Sequence, residues 1–166
     1  MLTLYCKVLT PKALDGILQV MIIEVKNEIE TRQFAEKLGG LLRGGETIEL
    51  IGDVGAGKTT FVKGLALGLS IDEDVQSPSF TISRVYDARD NLHLAHYDFY
   101  RLNDAGIMQD ELAETMQDPE TITVIEWADI VEGVLSKDRI TIVFESPTET
   151  TRTLNITGNK EVLEKL

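Results

Sequence analysis

Gly52-Asp53-Val54-Gly55-Ala56-Gly57-Lys58-Thr59 is the stretch whose reading decides the fold, and it fits G-x-x-x-x-G-K-[S/T] in full. An apolar run, Thr47–Ile51, precedes it and reads as a strand; Lys58–Leu69 follows and reads as a helix. Strand, glycine-rich turn and helix are the context in which this pattern holds a phosphate chain. The glycines let the main chain wrap closely enough to aim its N–H groups at phosphate oxygens. The helix N-terminus adds unsatisfied N–H groups and a partial positive charge. Lys58 is placed to reach the β- and γ-phosphates, and the Thr59 hydroxyl to ligate Mg²⁺. A dinucleotide fold fits worse: its G-x-G-x-x-G fingerprint fails where Gly55-Ala56-Gly57 runs on into Lys58-Thr59-Thr60.

Outward from this loop, strands and helices alternate. Ile22–Val25 reads as a strand, and Asn27 with Glu30 has the spacing of a capping box. Phe34, Leu38, Leu41 and Leu42 then share one helix face, with Gly39-Gly40 weakening the helix and Gly44-Gly45 stopping it. Strands are predicted over Phe80–Tyr86, Leu92–Tyr97, Ile122–Ile125, Ile140–Phe144 and Thr153–Ile156. Short helices and loops are predicted over 103–118, and helices over Trp127–Leu135 and Lys160–Leu166. At 166 residues the chain has the length of one domain. The alternation predicts an α/β, P-loop NTPase-like three-layer sandwich with a largely parallel central sheet.

Composition narrows the function. Sixteen Lys and Arg against 28 Asp and Glu leave a net charge of −12, a poor basis for binding a polyanion directly. Nucleic acid is therefore expected to reach this chain through another protein. A single cysteine, Cys6, permits no intramolecular disulfide and suits a reducing compartment. No apolar run approaches the ~20 residues that span a bilayer. The N-terminus has no basic start, long apolar stretch and small-residue cleavage site, so a cytoplasmic protein is expected.

A second metal-site residue should be an acid at the end of an apolar strand. Two positions qualify, Glu126 after Ile122–Ile125 and Asp98 after Leu92–Tyr97. A GTPase would carry D-x-x-G and N-K-x-D, but no Asp has Gly three residues later, and Asn159-Lys160-Glu161-Val162 ends in Val. An adenine nucleotide or weak base selectivity is the better fit. A small-molecule or nucleoside kinase stays open as the alternative, though the arginines are scattered rather than gathered in a lid. His93 and His96, three apart on a strand, point to opposite faces and do not suggest a metal site.

Four segments together resemble the TsaE (YjeE) family of bacterial ATPases. They are Gly52–Phe61; Ser77-Pro78-Ser79-Phe80-Thr81, similar to S-P-T-F-T; His96-Tyr97-Asp98-Phe99-Tyr100-Arg101-Leu102, similar to H-F-D-L-Y-R-L; and Ile125-Glu126-Trp127, similar to I-E-W. The resemblance covers roughly residues 21–158. It implies an ATPase supporting threonylcarbamoyladenosine synthesis in tRNAs that read codons beginning with A. In that family's scheme the chain binds a TsaB–TsaD transferase pair, which contacts the tRNA, and ATP hydrolysis resets the pair between turnovers. Carried over by position, Asp53, Gly55, Ala56, Gly57, Lys58, Thr59 and Thr60 hold ATP. Thr59 and Glu126 place Mg²⁺, Asp98 orients or activates the attacking water, and Ser77–Thr81 forms a switch loop. Trp127 lies by the nucleotide and Thr31 by its base. Ser79 stands for Thr with its hydroxyl kept, Tyr97 stands for Phe, and Ala128 for a common Pro. Residues 1–20 have no counterpart, so Met21 is the expected start of a 21–166 ATPase domain and 1–20 a dispensable extension. The free chain is expected to be a monomer, and no arginine finger is evident, so turnover alone should be slow.

Overall fold

The computed structural model describes residues 6–7, 18–104 and 106–166. In chain order the elements are β1 (Cys6–Lys7), β2 (Leu18–Val25), α1 (Glu28–Leu41), β3 (Thr47–Ile51), α2 (Lys58–Gly68), β4 (Ser83–Asp87), β5 (His93–Asp98), α3 (Met108–Thr115), β6 (Thr121–Glu126), β7 (Ile140–Glu145), β8 (Arg152–Asn159) and α4 (Lys160–Leu163). The strands form one sheet in the order β1-β2-β8-β7-β3-β6-β5-β4. The four central strands, β7, β3, β6 and β5, run parallel, as the alternating pattern predicts. The flanks, β1-β2-β8 on one side and β4 on the other, are antiparallel. Parallel central strands are covered on both faces, and β6 (TITVIE) is accordingly buried at every position.

Strand alternation sorts the core into two layers. Leu94, Ile122, Val124, Ile48 and Leu50 face α1 and α2, where they meet Phe34, Leu38, Phe61 and Leu65. Ala95, Tyr97 and Ile125 face the other way, against Leu112 of α3 and Ala128 and Val131 of a 3₁₀ segment. This makes the expected three-layer sandwich. α1 is capped by Asn27, whose side chain accepts from the Glu30 N–H at 3.0 Å, while Glu30 reaches back to the Lys26 N–H at 2.8 Å. The capping pair is therefore real, with its return bond one residue earlier than the box predicts.

α1 and α2 touch through glycine. A Cβ on Gly64 would stand 2.5 Å from the Arg32 carbonyl and 2.6 Å from the Ala35 Cβ; one on Gly39 would strike the Leu65 carbonyl. Gly39 is thus a contact surface for α2, not merely a weak point of its helix.

Several boundaries differ from the sequence reading; β2 starts at Leu18 rather than Ile22, and β8 runs over Arg152–Asn159 rather than Thr153–Ile156. The strand expected over Phe80–Tyr86 begins only at Ser83, because residues 77–82 turn back toward β5: the Thr81 and Ile82 N–H groups donate to the Pro78 carbonyl. The helix expected from Trp127 is a 3₁₀ segment over Ala128–Val134, and the C-terminal helix stops at Leu163. Of the expected 1–20 extension, most lies outside the described residues. Its described parts are β1 and Leu18–Val20, which pair with Thr157–Asn159 of β8.

Candidate nucleotide site

The phosphate loop sits at the C-terminal end of β3, where parallel α/β sheets place their ligands. Gly55 and Gly57 take left-handed φ of +81° and +103°, and Gly57 caps α2 in that conformation. Ala56 and Lys58 are buried under the loop. The Lys58 ammonium donates to the Gly52 and Asp53 carbonyls at 2.7 and 3.0 Å. It also stands 4.6 Å from the centre of the Trp127 ring and 3.9 Å from Glu126 Oε2. Burial pushes its pKa down, and the attraction of Glu126, Asp98 and Asp53 opposes that shift without cancelling it.

Two carboxylates close the floor. β5 and β6 pair in parallel with Asp98 directly beside Glu126, so both side chains leave the same face of the sheet. Each is nearly buried, at 4% and 3% exposure, and each has its own donors. Asp98 Oδ2 accepts from the Ser77 and Ser79 hydroxyls at 2.7 and 2.5 Å, and Oδ1 from the Tyr100 N–H at 3.0 Å. Burial alone would raise the Asp98 pKa, but the Ser79, Ser77 and Tyr100 hydrogen bonds and the nearby His96 together hold it below the ordinary carboxylate value. Glu126 Oε1 meets His96 Nε2 at 2.9 Å.

These groups line a cavity of about 770 Å³. Thr31, Gly55, Ala56, Gly57, Lys58, Thr59, Thr60, Asp98, Glu126 and Trp127 all border it. Asp53 does not; it contributes its carbonyl to Lys58. Ser77 and Ser79 border it too, so the S-P-S segment is tied to the site through Asp98. Trp127 holds a left-handed φ of +58° immediately after β6, which turns its ring back toward Lys58 and Tyr100.

Several site residues were missed by sequence reasoning. Arg152, at the start of β8, donates to the Ala56 carbonyl at 2.9 Å and braces the loop from behind. His96 shares the face of Asp98, a relation visible in their spacing of two. The first turn of α1, through Asn27, Glu28 and Ile29, forms part of the wall. Arg101 forms no ion pair among the described residues; its guanidinium stacks 4.4 Å from the exposed Phe80 ring.

The profile of the family described as "Threonylcarbamoyl adenosine biosynthesis protein TsaE" matches residues 25–154. The chain belongs to the TsaE family. The Bacillus subtilis (strain 168) protein named "tRNA threonylcarbamoyladenosine biosynthesis protein TsaE" is 35% identical over 136 residues, covering 81% of this chain and 84% of its own. The Treponema pallidum protein of the same name is 41% identical over 113 residues, covering 68% and 82%. The crystal structure of Bacillus subtilis YdiB superposes with a TM-score of 0.73 at 29% identity, covering 91% of this chain and 96% of that one. The TsaE match spans all four sequence segments that line or adjoin the cleft, and the fold it accompanies is P-loop NTPase-like. No described helix of this TsaE-family chain is long and apolar enough to cross a membrane.

Proposed function

We propose that this chain is a Mg²⁺-dependent ATPase of the cytoplasm that serves threonylcarbamoyladenosine formation in tRNAs reading codons that begin with A. It hydrolyses ATP to ADP and phosphate while bound to a TsaB–TsaD pair and resets that pair between turnovers. The observation that carries the reading is the convergence of Lys58, the loop amides and two adjacent buried carboxylates on one cavity. Family membership supplies the pathway.

The residues present fit Mg²⁺. The Thr59 hydroxyl and Glu126 carboxylate are hard oxygen donors, the set that magnesium takes. Among the described residues no group of three His, Cys, Asp or Glu is gathered to hold a metal alone. That suits an ion arriving with phosphate oxygens that complete its shell. When bound, the ion would neutralise charge building between the β- and γ-phosphates. The protein's own part is positional. Lys58 leaves the loop carbonyls for the phosphates, and the loop amides and the α2 N-terminus hold the β-phosphate. Asp98, kept ionised by its hydroxyl donors, orients the attacking water. Trp127 and Thr31 border the same cavity and are assigned to the nucleoside.

Of the cavity's arginines, Arg152 is spent on the loop's carbonyls and Arg101 on Phe80. Among the described residues neither arginine contacts Lys58, Asp98 or Glu126, which supports slow turnover alone and completion by a partner. Phe80 and Tyr100, exposed beside the cavity, supply apolar surface for that docking. The net charge of −12 supports leaving the tRNA to the partners. Phosphate release from Mg-ATP, measured for the chain alone and with TsaB–TsaD, tests the proposal. Strong stimulation by the pair is expected. Intact ATP binding without stimulation overturns the partner assignment, and a phosphorylated acceptor in place of free phosphate overturns hydrolysis in favour of a kinase.

A further inference from the structure

Resting on the nucleotide reading, we infer that His96 is a positioning residue that sets which oxygen of Glu126 is offered to the metal. Asp98 and Glu126 lie side by side on neighbouring strands, and two buried carboxylates so placed repel one another. Each must be held by donors of its own or it will rotate into its neighbour's. Asp98 has two serines and a main-chain N–H. Among the described residues the Glu126 carboxylate has one hydrogen-bond partner, His96, and a longer contact to Lys58.

The geometry divides the two oxygens. His96, fully buried two residues before Asp98 on β5, engages Oε1 at 2.9 Å. Oε2 is left on the Lys58 side, 3.9 Å from the ammonium, where the phosphates and their ion must arrive. His96 Nδ1 is buried and has no hydrogen-bond partner among the described residues. A histidine kept only for packing would lose nothing by being apolar. This one tolerates an unpartnered ring nitrogen while its other nitrogen holds Glu126, so its cost is spent on that carboxylate. Partners that orient a ligating carboxylate this way typically change metal affinity about 10–100-fold when removed.

The test is calorimetric titration of ADP into the full chain across a series of Mg²⁺ concentrations, for the parent, His96→Leu and His96→Gln. The Mg²⁺ concentration giving half of the metal-dependent gain in ADP affinity should rise about 10–100-fold in His96→Leu. ADP affinity without metal should stay at the parent value, and His96→Gln, whose amide N–H can reach Oε1, should recover most of the loss. Unchanged Mg²⁺ dependence in a folded His96→Leu overturns the inference, as does equal loss of affinity with and without metal. Should His96→Leu fail to fold, His96→Gln is set against His96→Asn, whose amide is too short to reach Oε1: an equal displacement of the Mg²⁺ dependence in the two overturns the positioning role. A parent chain that binds no ADP refutes the nucleotide reading itself, whereas a parent that responds to Mg²⁺ beside indifferent variants refutes only the role of His96.

Discussion

Removing the Lys58 ammonium should slow ATP hydrolysis on the order of 10²-fold while leaving the fold standing. Loss of one charged or oriented donor to a developing oxyanion costs about 2.7–4 kcal/mol, or roughly 10²–10³ in rate. The structure argues for the lower end. In the free protein Lys58 already donates to Gly52 and Asp53, and these bonds must break before it turns to a phosphate, which offsets part of its gain. Its desolvation, by contrast, is met in advance, since the group is 5% exposed before any ligand arrives, and this keeps the loss from falling below that range. The assay is steady-state phosphate release by Lys58→Ala at saturating Mg-ATP, with ADP affinity read by calorimetry. Trp127 emission is a poor substitute, because the ammonium lies against that ring and its loss alters the signal directly. Lys58→Arg should not rescue, since a planar fork does not replace a compact cation held between two loop carbonyls. Turnover of a folded Lys58→Ala indistinguishable from the parent's would refute the phosphate assignment.

Three further outcomes are expected. Asp98→Asn should bind ADP like the parent but hydrolyse ATP far more slowly. Because the folded Asp98 pKa lies below the ordinary carboxylate value, its ionised form stabilises the fold above that ordinary value, and the contribution is lost as pH falls through the lower folded value; urea midpoints of parent and Asp98→Asn should therefore converge in strong acid. Gly64→Ala should lower stability by about 1–3 kcal/mol in urea unfolding, since the new methyl meets the Arg32 carbonyl and Ala35 with nowhere to retreat; an unchanged midpoint would show that α1 and α2 can part at little cost. A chain starting at Met21 should keep its fold and its ADP binding, although it gives up β1 and the pairing of Leu18–Val20 with β8; circular dichroism and calorimetry check both, and loss of either would make the first twenty residues part of the domain.

What could be read in the sequence was local. β3 matches its predicted bounds, and α2 begins at the predicted Lys58, because an apolar run, a glycine turn and a lysine fix that unit over a dozen residues. The acids ending β5 and β6 were legible for the same reason. The errors fall where distant partners decide. Residues 80–82 carry strand-forming types, yet the two serines just before them turn inward to Asp98, and Ile82 accepts a left-handed φ of +69° as the chain enters β4. Trp127 bears a similar φ, a strain of about 1–3 kcal/mol that no propensity scale would assign to it. Arg152 was beyond reach, since nothing near it in the chain says that the hairpin of β7 and β8 will bring its guanidinium to the phosphate loop. His96 was within reach, its parity with Asp98 needing only to be set against the strand that ends in Glu126.

The insertion of β8 between β2 and β7 has a consequence for birth on the ribosome. β2 emerges early, but its sheet neighbour toward the centre is β8, one of the last segments to be translated. Until then the N-terminal strand has no hydrogen-bonding edge in the parallel centre to join, and the Gly55 and Ala56 carbonyls lack Arg152. The nascent chain can therefore make β3, β5, β6 and its phosphate loop before that loop is braced. Nucleotide capture should be a late event of synthesis, and a ribosome-stalled chain ending before Arg152 should hold ADP poorly even with every residue of the glycine loop already made.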